Sequence, residues 1–404
     1  MPSTPIYDPT RDDVRRDPFP LYQRLRDEDP VHWSPAMRSW IVTRYEDVRE
    51  VAMTRDMSPD RLTPFYESLR DERREILAEV MRYLRLWLVF RDPPEHTRLR
   101  RLMNVVFLPQ AIAGMRPQIE AVVSEILDGL DSSAPLDFVR EVAMLVPGHV
   151  ILDMLGIPRE DFGRIKLWSD DMRAFIGSSR SDGDRYERVQ RGAHEMAAYF
   201  GELIARRRAE PGPDFVSRMI AARDENDALT EDELVATCML VLFGGHETTT
   251  NLLSTAVNAL LEHPDQLERL RAQPELIGSA VEEFLRYDGP STSIARLVAH
   301  DHELGGRPLK KGDRVFAMIN SANRDPRKFD APDTLDLGRS PNRHLTFGQG
   351  IHFCLGAALA RLEGQICLGA IAERFPGLRR AEGETEWIDA MIMRGLVTLP
   401  VRLA

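Results

Sequence analysis

The 404-residue sequence has only three cysteines, Cys238, Cys354 and Cys367. Three scattered thiols cannot build a disulfide framework, so any cysteine with a function here is expected to work in the reduced state. No window reaches the roughly eighteen apolar, uncharged residues of a spanning helix, and Met1-Pro2-Ser3-Thr4-Pro5 lacks the pattern of a secretory signal. A cytoplasmic protein with no membrane partner is expected. Positive charge is in deficit: 53 basic residues face 64 acidic ones, for a net charge of −11, which argues against a nucleic-acid partner. Repeats, low-complexity tracts and Ser/Gly-rich linkers are missing, so one continuous domain over 1–404 is expected. A dinucleotide-binding G-x-G-x-x-G turn is also missing, because Gly348 and Gly350 are followed by Phe353 where a third glycine is needed.

What is present is a globular composition, 43% hydrophobic beside 29% charged. Periodicity predicts a short helix at 21–27, a strand at 40–43 and a helix beginning near Glu46. The charged stretch 55–90 has no clean period and reads as loops and short helices of the kind that form lids. Apolar spacings of three and four predict helices at 119–130, 147–155, 195–208 and 214–222. Strand patterns return late, at 314–318 and 396–399. The fold class is therefore mainly α with small β-sheets.

One helix contradicts its own residue preferences. Thr230 and Glu233 form a capping box, and apolar residues then cover several faces with no proline before Pro264. A helix over Glu231–Glu262 is about 48 Å long, and its all-round apolarity places it inside the protein. Its centre is Gly244-Gly245-His246-Glu247-Thr248-Thr249-Thr250, where each glycine costs about 1 kcal/mol relative to alanine. Two readings follow. Either the glycines allow close helix packing and Glu247 pairs with an arginine, or an acid beside hydroxyls serves a ligand.

A second unusual segment is Phe347-Gly348-Gln349-Gly350-Ile351-His352-Phe353-Cys354-Leu355-Gly356, which precedes the helix-forming run Ala357 to Glu363. Glycines let the backbone approach a bulky ligand, and a thiol just ahead of a helix N-terminus is favoured as thiolate. The residues alone leave four roles for Cys354: a core side chain, a zinc ligand with His344 and His352, a nucleophile with a histidine base, or a ligand to some other group.

These segments resemble the cytochrome P-450 superfamily, in its soluble bacterial form. Phe347 to Gly356 fits F-G-x-G-x-[HR]-x-C-x-G, Gly244 to Thr249 fits [AG]-G-x-[DE]-T-[TS], and Glu283-Phe284-Leu285-Arg286 supplies E-x-x-R between them. Asp92 to Arg100 and Ala322 to Pro326 also look familial, and the resemblance runs from Pro18 to Leu399. It implies a triangular, mainly α fold with small sheets, with haem b lying between the long central helix and the cysteine loop.

By the same resemblance Cys354 is the thiolate ligand to iron. Glu247 and Thr248 resemble the acid and alcohol through which the family delivers protons to dioxygen, and Gly244 and Gly245 would open room beside them. His96, Arg100, Arg296 and His352 match the partners of the haem propionates, while Phe347, Gly348 and Gly356 shape the loop around the sulfur. Glu283 and Arg286 are structural, with Arg339 or His344 as a third partner. Leu240, Phe243, Pro290, Ser291, Ile294, Ile392 and Met393, with parts of 61–88 and 175–179, are implied to line an apolar substrate pocket.

The implied activity is haem-dependent monooxygenation of a small or medium hydrophobic substrate by O2. No flavin or nucleotide loop is present, so a separate ferredoxin and ferredoxin reductase are implied, docking on a basic patch that includes Arg98, Arg101 and Arg361. Surface positions are expected for Arg82 and Arg85, against the alternative that one of them anchors a substrate carboxylate. The rival classes are a peroxide-driven haem enzyme and a haem-based binding or sensor protein, neither of which needs the Glu247–Thr248 pair.

Overall fold

The computed structural model describes residues 6–104, 106–176, 184–224 and 227–404. Along the chain, α1 (Phe19–Glu28) leads to β1 (Val31–Ser34), β2 (Ser39–Val42) and α2 (Tyr45–Met53). The sequence reading has no strand at β1. Four residues are too few to show a period, and β1 exists because it pairs antiparallel with β2, Val31 opposite Val42. The stretch 55–90 is, as expected, made of short pieces: β3 (Met57–Ser58), α3 (Leu62–Glu67) and α4 (Ala78–Leu84) among them.

Helices then dominate: α5 (Glu95–Asn104), α6 (Arg116–Asp128), α7 (Leu145–Leu155), α8 (Phe162–Ile176), α9 (Arg185–Ala209) and α10 (Phe215–Ala221). The central helix α11 spans Glu231–Glu262, the range that capping and Pro264 predict. Its capping box is reciprocal: the Thr230 amide donates to Glu233 at 2.9 Å, and the Glu233 amide to the Thr230 hydroxyl at 3.3 Å. After it come α12 (Ile277–Asp288), β4 (Ser293–Val298), β5 (Arg314–Met318), α13 (Ala357–Arg374) and β6 (Leu396–Thr398). Among the described residues, no helix is long and apolar enough to cross a membrane.

The chain divides into two compact units. One comprises residues up to 58, 123–143 and 248–404; the other comprises 59–122 and 144–247. The first contains a five-stranded mixed sheet in the order β1-β2-β5-β4-β3. β5 runs parallel to β2 and antiparallel to β4, which sets Arg296 opposite Val315. One side of this sheet packs Val31, Val42, Val315 and Ala317 against Val48 and Val51 of α2, a cluster that extends to Leu345 at the start of the cysteine loop. Each such side chain contributes roughly 1.5–3 kcal/mol by leaving water.

The same unit buries an ion pair completely. Glu283 and Arg286 of α12 are both 0% exposed and meet through two hydrogen bonds of 2.8 Å. Arg286 also donates to the carbonyls of Asn323, Pro332 and Thr334, and Glu283 accepts from Arg339, Asn342 and the Asp336 amide. Of the two third partners expected, Arg339 takes the place, with Nε 3.1 Å from both carboxylate oxygens. His344 turns instead to Glu282. Breaking such a pair strands a charge without water. Arg286→Met is expected to lose about 3–5 kcal/mol of stability, measured as the shift in urea unfolding midpoint.

Candidate functional site

The cysteine loop is built from α12 outward. Thr346 donates from its hydroxyl to the Leu285 carbonyl at 2.6 Å and accepts from Asn323 at 2.9 Å, while the Leu345 amide donates to Asn323 at 2.8 Å. All of these groups are buried, so the loop leaves from a fixed point. Gly348 and Gly350 then adopt φ of +71° and +69°, values that side chains resist, and the Cys354 amide returns to the Phe347 carbonyl at 2.8 Å. Phe347 is gripped by the Phe353 ring at 6.2 Å and by the Arg361 guanidinium at 4.4 Å. Gly356 stands immediately before α13.

This loop makes Cys354 unlike the other two cysteines. Cys354 is exposed, whereas Cys238 and Cys367 are buried and burial pushes both thiols up, Cys238 to about 12. An exposed thiol on a glycine-shaped loop, ahead of a helix N-terminus, has the setting that suits a thiolate metal ligand. The zinc reading fails because both ring nitrogens of His344 are engaged, Nε2 with Glu282 at 3.1 Å and Nδ1 with the Thr346 amide at 3.3 Å, and no group of three His, Cys, Asp or Glu among the described residues could hold a metal ion. His352, in the turn Gly350–His352, and Arg296, whose guanidinium donates to the Ala295 carbonyl at 3.0 Å, are both partly buried in this unit.

The central helix carries the second set of groups. From Leu234 to Leu260 every residue is buried except Leu240, Gly244, Gly245 and Thr248. Leu240, Gly244 and Thr248 are four apart and so share one stripe of the helix. The two glycines differ in role. An added Cβ at Gly244 would meet nothing within 4 Å, whereas one at Gly245 would come 2.5 Å from the Ile151 side chain of α7. Gly244 therefore leaves the stripe open. Gly245 is a packing glycine, set against Ile151.

Glu247 is buried with three basic neighbours: Lys166 Nζ at 3.2 Å, Arg173 Nε at 3.5 Å and His246 Nε2 at 3.2 Å. Burial alone would raise its pKa, but these neighbours, His246 foremost, hold the carboxyl far below the usual range. The packing reading of the helix centre is met at Gly245 and at Glu247, which pairs with Arg173.

In the 59–122 and 144–247 unit, His96 and Arg100 lie one turn apart on α5. His96 is buried, and burial followed by the Arg100 charge lowers its pKa. Arg100 donates to Asn104 at 3.1 Å. Leu240 and Phe243 belong to this unit too. In the other unit, the predicted pocket residues Pro290, Ser291, Ile392 and Met393 are brought together across a hundred residues of sequence. Ser291 and Met393 form an isolated bridge, and the Thr292 amide donates to the Ile392 carbonyl at 3.0 Å. Ile294 packs against the sheet core. The predicted positions at 177–179 lie outside the described residues.

A family model described as Cytochrome P450 matches residues 35–400. The chain belongs to the cytochrome P450 family. It is 35% identical to the polyketide biosynthesis cytochrome P450 PksS of Bacillus subtilis (strain 168), covering 99% of each chain. It is 37% identical to the vitamin D(3) 25-hydroxylase of Pseudonocardia autotrophica, over 96% of this chain and 94% of that one. The structure of P450BioI in complex with hexadec-9Z-enoic acid ligated acyl carrier protein superposes with a TM-score of 0.88 and 32% identity, over 97% of this chain and 99% of that one. The P450 is thus a haem-thiolate monooxygenase of the bacterial type, mainly α with small sheets.

Three of the arginines singled out in the sequence are paired with acids. Arg361 makes a bidentate pair with Glu282 at 2.6 and 2.9 Å, and Arg98 pairs with Glu233. Arg82 is held by Asp232 at 2.7 Å on the surface, not poised to bind a substrate carboxylate. Arg101 is exposed.

The sequence reading also missed a group. Glu363 of α13 is 1% exposed, shares a hydrogen bond with Thr249, and is raised by burial from the ordinary 4.5 to about 8. Its only sequence signal is an acid within an Ala- and Leu-rich helical run. Unfolded, this carboxyl ionises near 4.5; folded, it keeps its proton until about pH 8. Its stability contribution is therefore complete below pH 4.5 and is lost as pH rises through about 8. Glu363→Gln should leave the thermal midpoint unchanged at pH 4.5 and raise it by several degrees at pH 8.

Proposed function

We propose that this P450 inserts one atom of O2 into a small or medium hydrophobic substrate. Haem b would be held through Cys354, and electrons would come from a separate ferredoxin and its reductase. The observation that carries this reading is the exposed Cys354 thiol on a braced, glycine-shaped loop ahead of a helix N-terminus. Residues 1–404 would act as one functional domain, since α11 contributes to both units and the family model runs across both.

The bound haem-thiolate supplies oxygen activation; the chain supplies position and protons. Cys354, on its braced loop, offers sulfur. His96, Arg100, Arg296 and His352 are assigned to the haem propionates, for which cationic or hydrogen-bonding groups in partly buried settings are suited. Thr248 offers a hydroxyl that can hold a water on the open stripe. Glu247, next to it, is kept ionised by its contacts to Lys166, Arg173 and His246, so it orients and accepts protons only when Lys166 and Arg173 turn away.

The relatives' names span polyketide biosynthesis, vitamin D(3) and an acyl chain on a carrier protein, which supports a hydrophobic substrate of open identity. The peroxide-driven and sensor alternatives leave the Glu247–Thr248 pair without a task. Cys354→Ser is expected to abolish the far-red-shifted Soret band of the reduced carbonyl complex, and persistence of that band would remove sulfur from its assigned role. In Thr248→Ala, product formed per reductant consumed should fall about tenfold or more, with hydrogen peroxide recovered in its place; unchanged coupling would argue for a peroxide-driven or binding function.

A further inference from the structure

Charges drawn into a protein interior are normally matched by a partner. Around the segments expected to line the pocket several arginines obey, Arg82 with Asp232, Arg173 with Glu247 and Arg188 with Asp171, whereas Arg85 lies over the Tyr66 ring with no carboxylate among the described residues. Arg61, which precedes α3, does not obey either. Among the described residues no carboxylate lies within ion-pair reach of its guanidinium. Its polar contacts are two long ones, to the Ile176 carbonyl at the end of α8, at 3.5 and 3.4 Å. These sit at the outer edge of hydrogen-bond geometry. Partial burial with no opposing charge lowers its pKa to about 10.

What surrounds Arg61 is aromatic. Its guanidinium lies over the Phe90 ring at 5.4 Å. Phe90 stacks on Trp87 at 6.2 Å with 13° between planes, and Trp87 meets Phe243 of α11 at 5.5 Å. Phe243 precedes Gly244, the open position of the central stripe. A second ring pair, Phe65 and Phe175 at 6.1 Å, stands on α3 and α8, the elements that carry Arg61 and its carbonyl contact. These rings, buried against one another, connect the central helix to a positive charge that no carboxylate among the described residues matches.

We propose that Arg61 anchors a carboxylate on the substrate, whose apolar body lies along Phe90, Trp87 and Phe243. This deepens the monooxygenase reading and rests on it, naming the substrate class as a hydrophobic monocarboxylic acid. A planar guanidinium fork matches a carboxylate in a bidentate pair, and the single charge of Arg61, without a carboxylate among the described residues, matches a monoanion. Ring faces that exclude water strengthen that pairing relative to solvent. An ester or alcohol of the same carbon skeleton keeps the apolar contacts and lacks the charge.

The test is a spectral titration of the haem-loaded protein with octanoic, dodecanoic and cinnamic acids against their methyl esters. The acids are expected to shift the Soret band with dissociation constants about ten- to hundredfold below those of the esters. Arg61→Leu should abolish that preference by weakening the acids alone, Arg61→Gln should do the same while keeping a donor for the Ile176 carbonyl, and Arg61→Lys should retain part of it. Equal affinity for acids and esters, no acid binding at all, or a preference that survives in Arg61→Leu or Arg61→Gln overturns the proposal. So does an Arg61→Leu protein that weakens acids and esters alike with a lowered melting midpoint, because Arg61 would then serve the helix end alone. A parent protein without the far-red-shifted carbonyl Soret band would sink the haem-thiolate reading itself, whereas equal affinities with that band intact sink only the anchor.

Discussion

The pair formed by Glu283 and Arg286 constrains everything that follows it in the chain. Both groups are cut off from water, so each donor and acceptor on them must find a protein partner, and those partners are backbone groups at 323, 332, 334 and 336 together with Arg339 and Asn342. A buried charge tolerates little displacement of its partners. The segment ahead of the cysteine loop is therefore fixed in place, and Asn323 and Thr346 pass that rigidity to the loop itself. Cys354 is accessible because the backbone around it is not free to collapse over it.

Two glutamates show how surroundings divide one chemistry into two. Glu247 and Glu363 are both buried, yet the first is held ionised by His246, Lys166 and Arg173, and the second is kept protonated by burial with a single hydroxyl for company. Each lies beside a threonine of α11, Glu247 next to Thr248 in sequence and Glu363 hydrogen-bonded to Thr249. Environments that push like groups apart in this way are characteristic of sites that move protons. The helix that carries the threonines gives up local stability at Gly244 and Gly245, and its capping box and apolar faces make up the loss.

Much of this was legible in the residues. The span of α11, the glycine-shaped loop around Cys354 and the structural standing of Glu283 and Arg286 all follow from capping, periodicity and motif spacing. The choice of Arg339 over His344 did not, because both lie on the same irregular segment and only the folded path of that segment decides which reaches Glu283. Likewise Arg361 and Arg98 read as free basic groups until Glu282 and Glu233 are placed beside them. Gly245 looks like Gly244 until Ile151 is packed against it.

Local chemistry in the chain determined which helices form, where the central one begins and ends, and which cysteine is set among glycines, because propensity and periodicity act over a few residues. Tertiary structure alone decided the electrical character of the interior: which glutamate is charged, which arginine is matched and which stands over rings. Those properties depend on burial and on neighbours far apart in sequence, and the energy of a charge is set by what surrounds it rather than by the residues beside it in the chain.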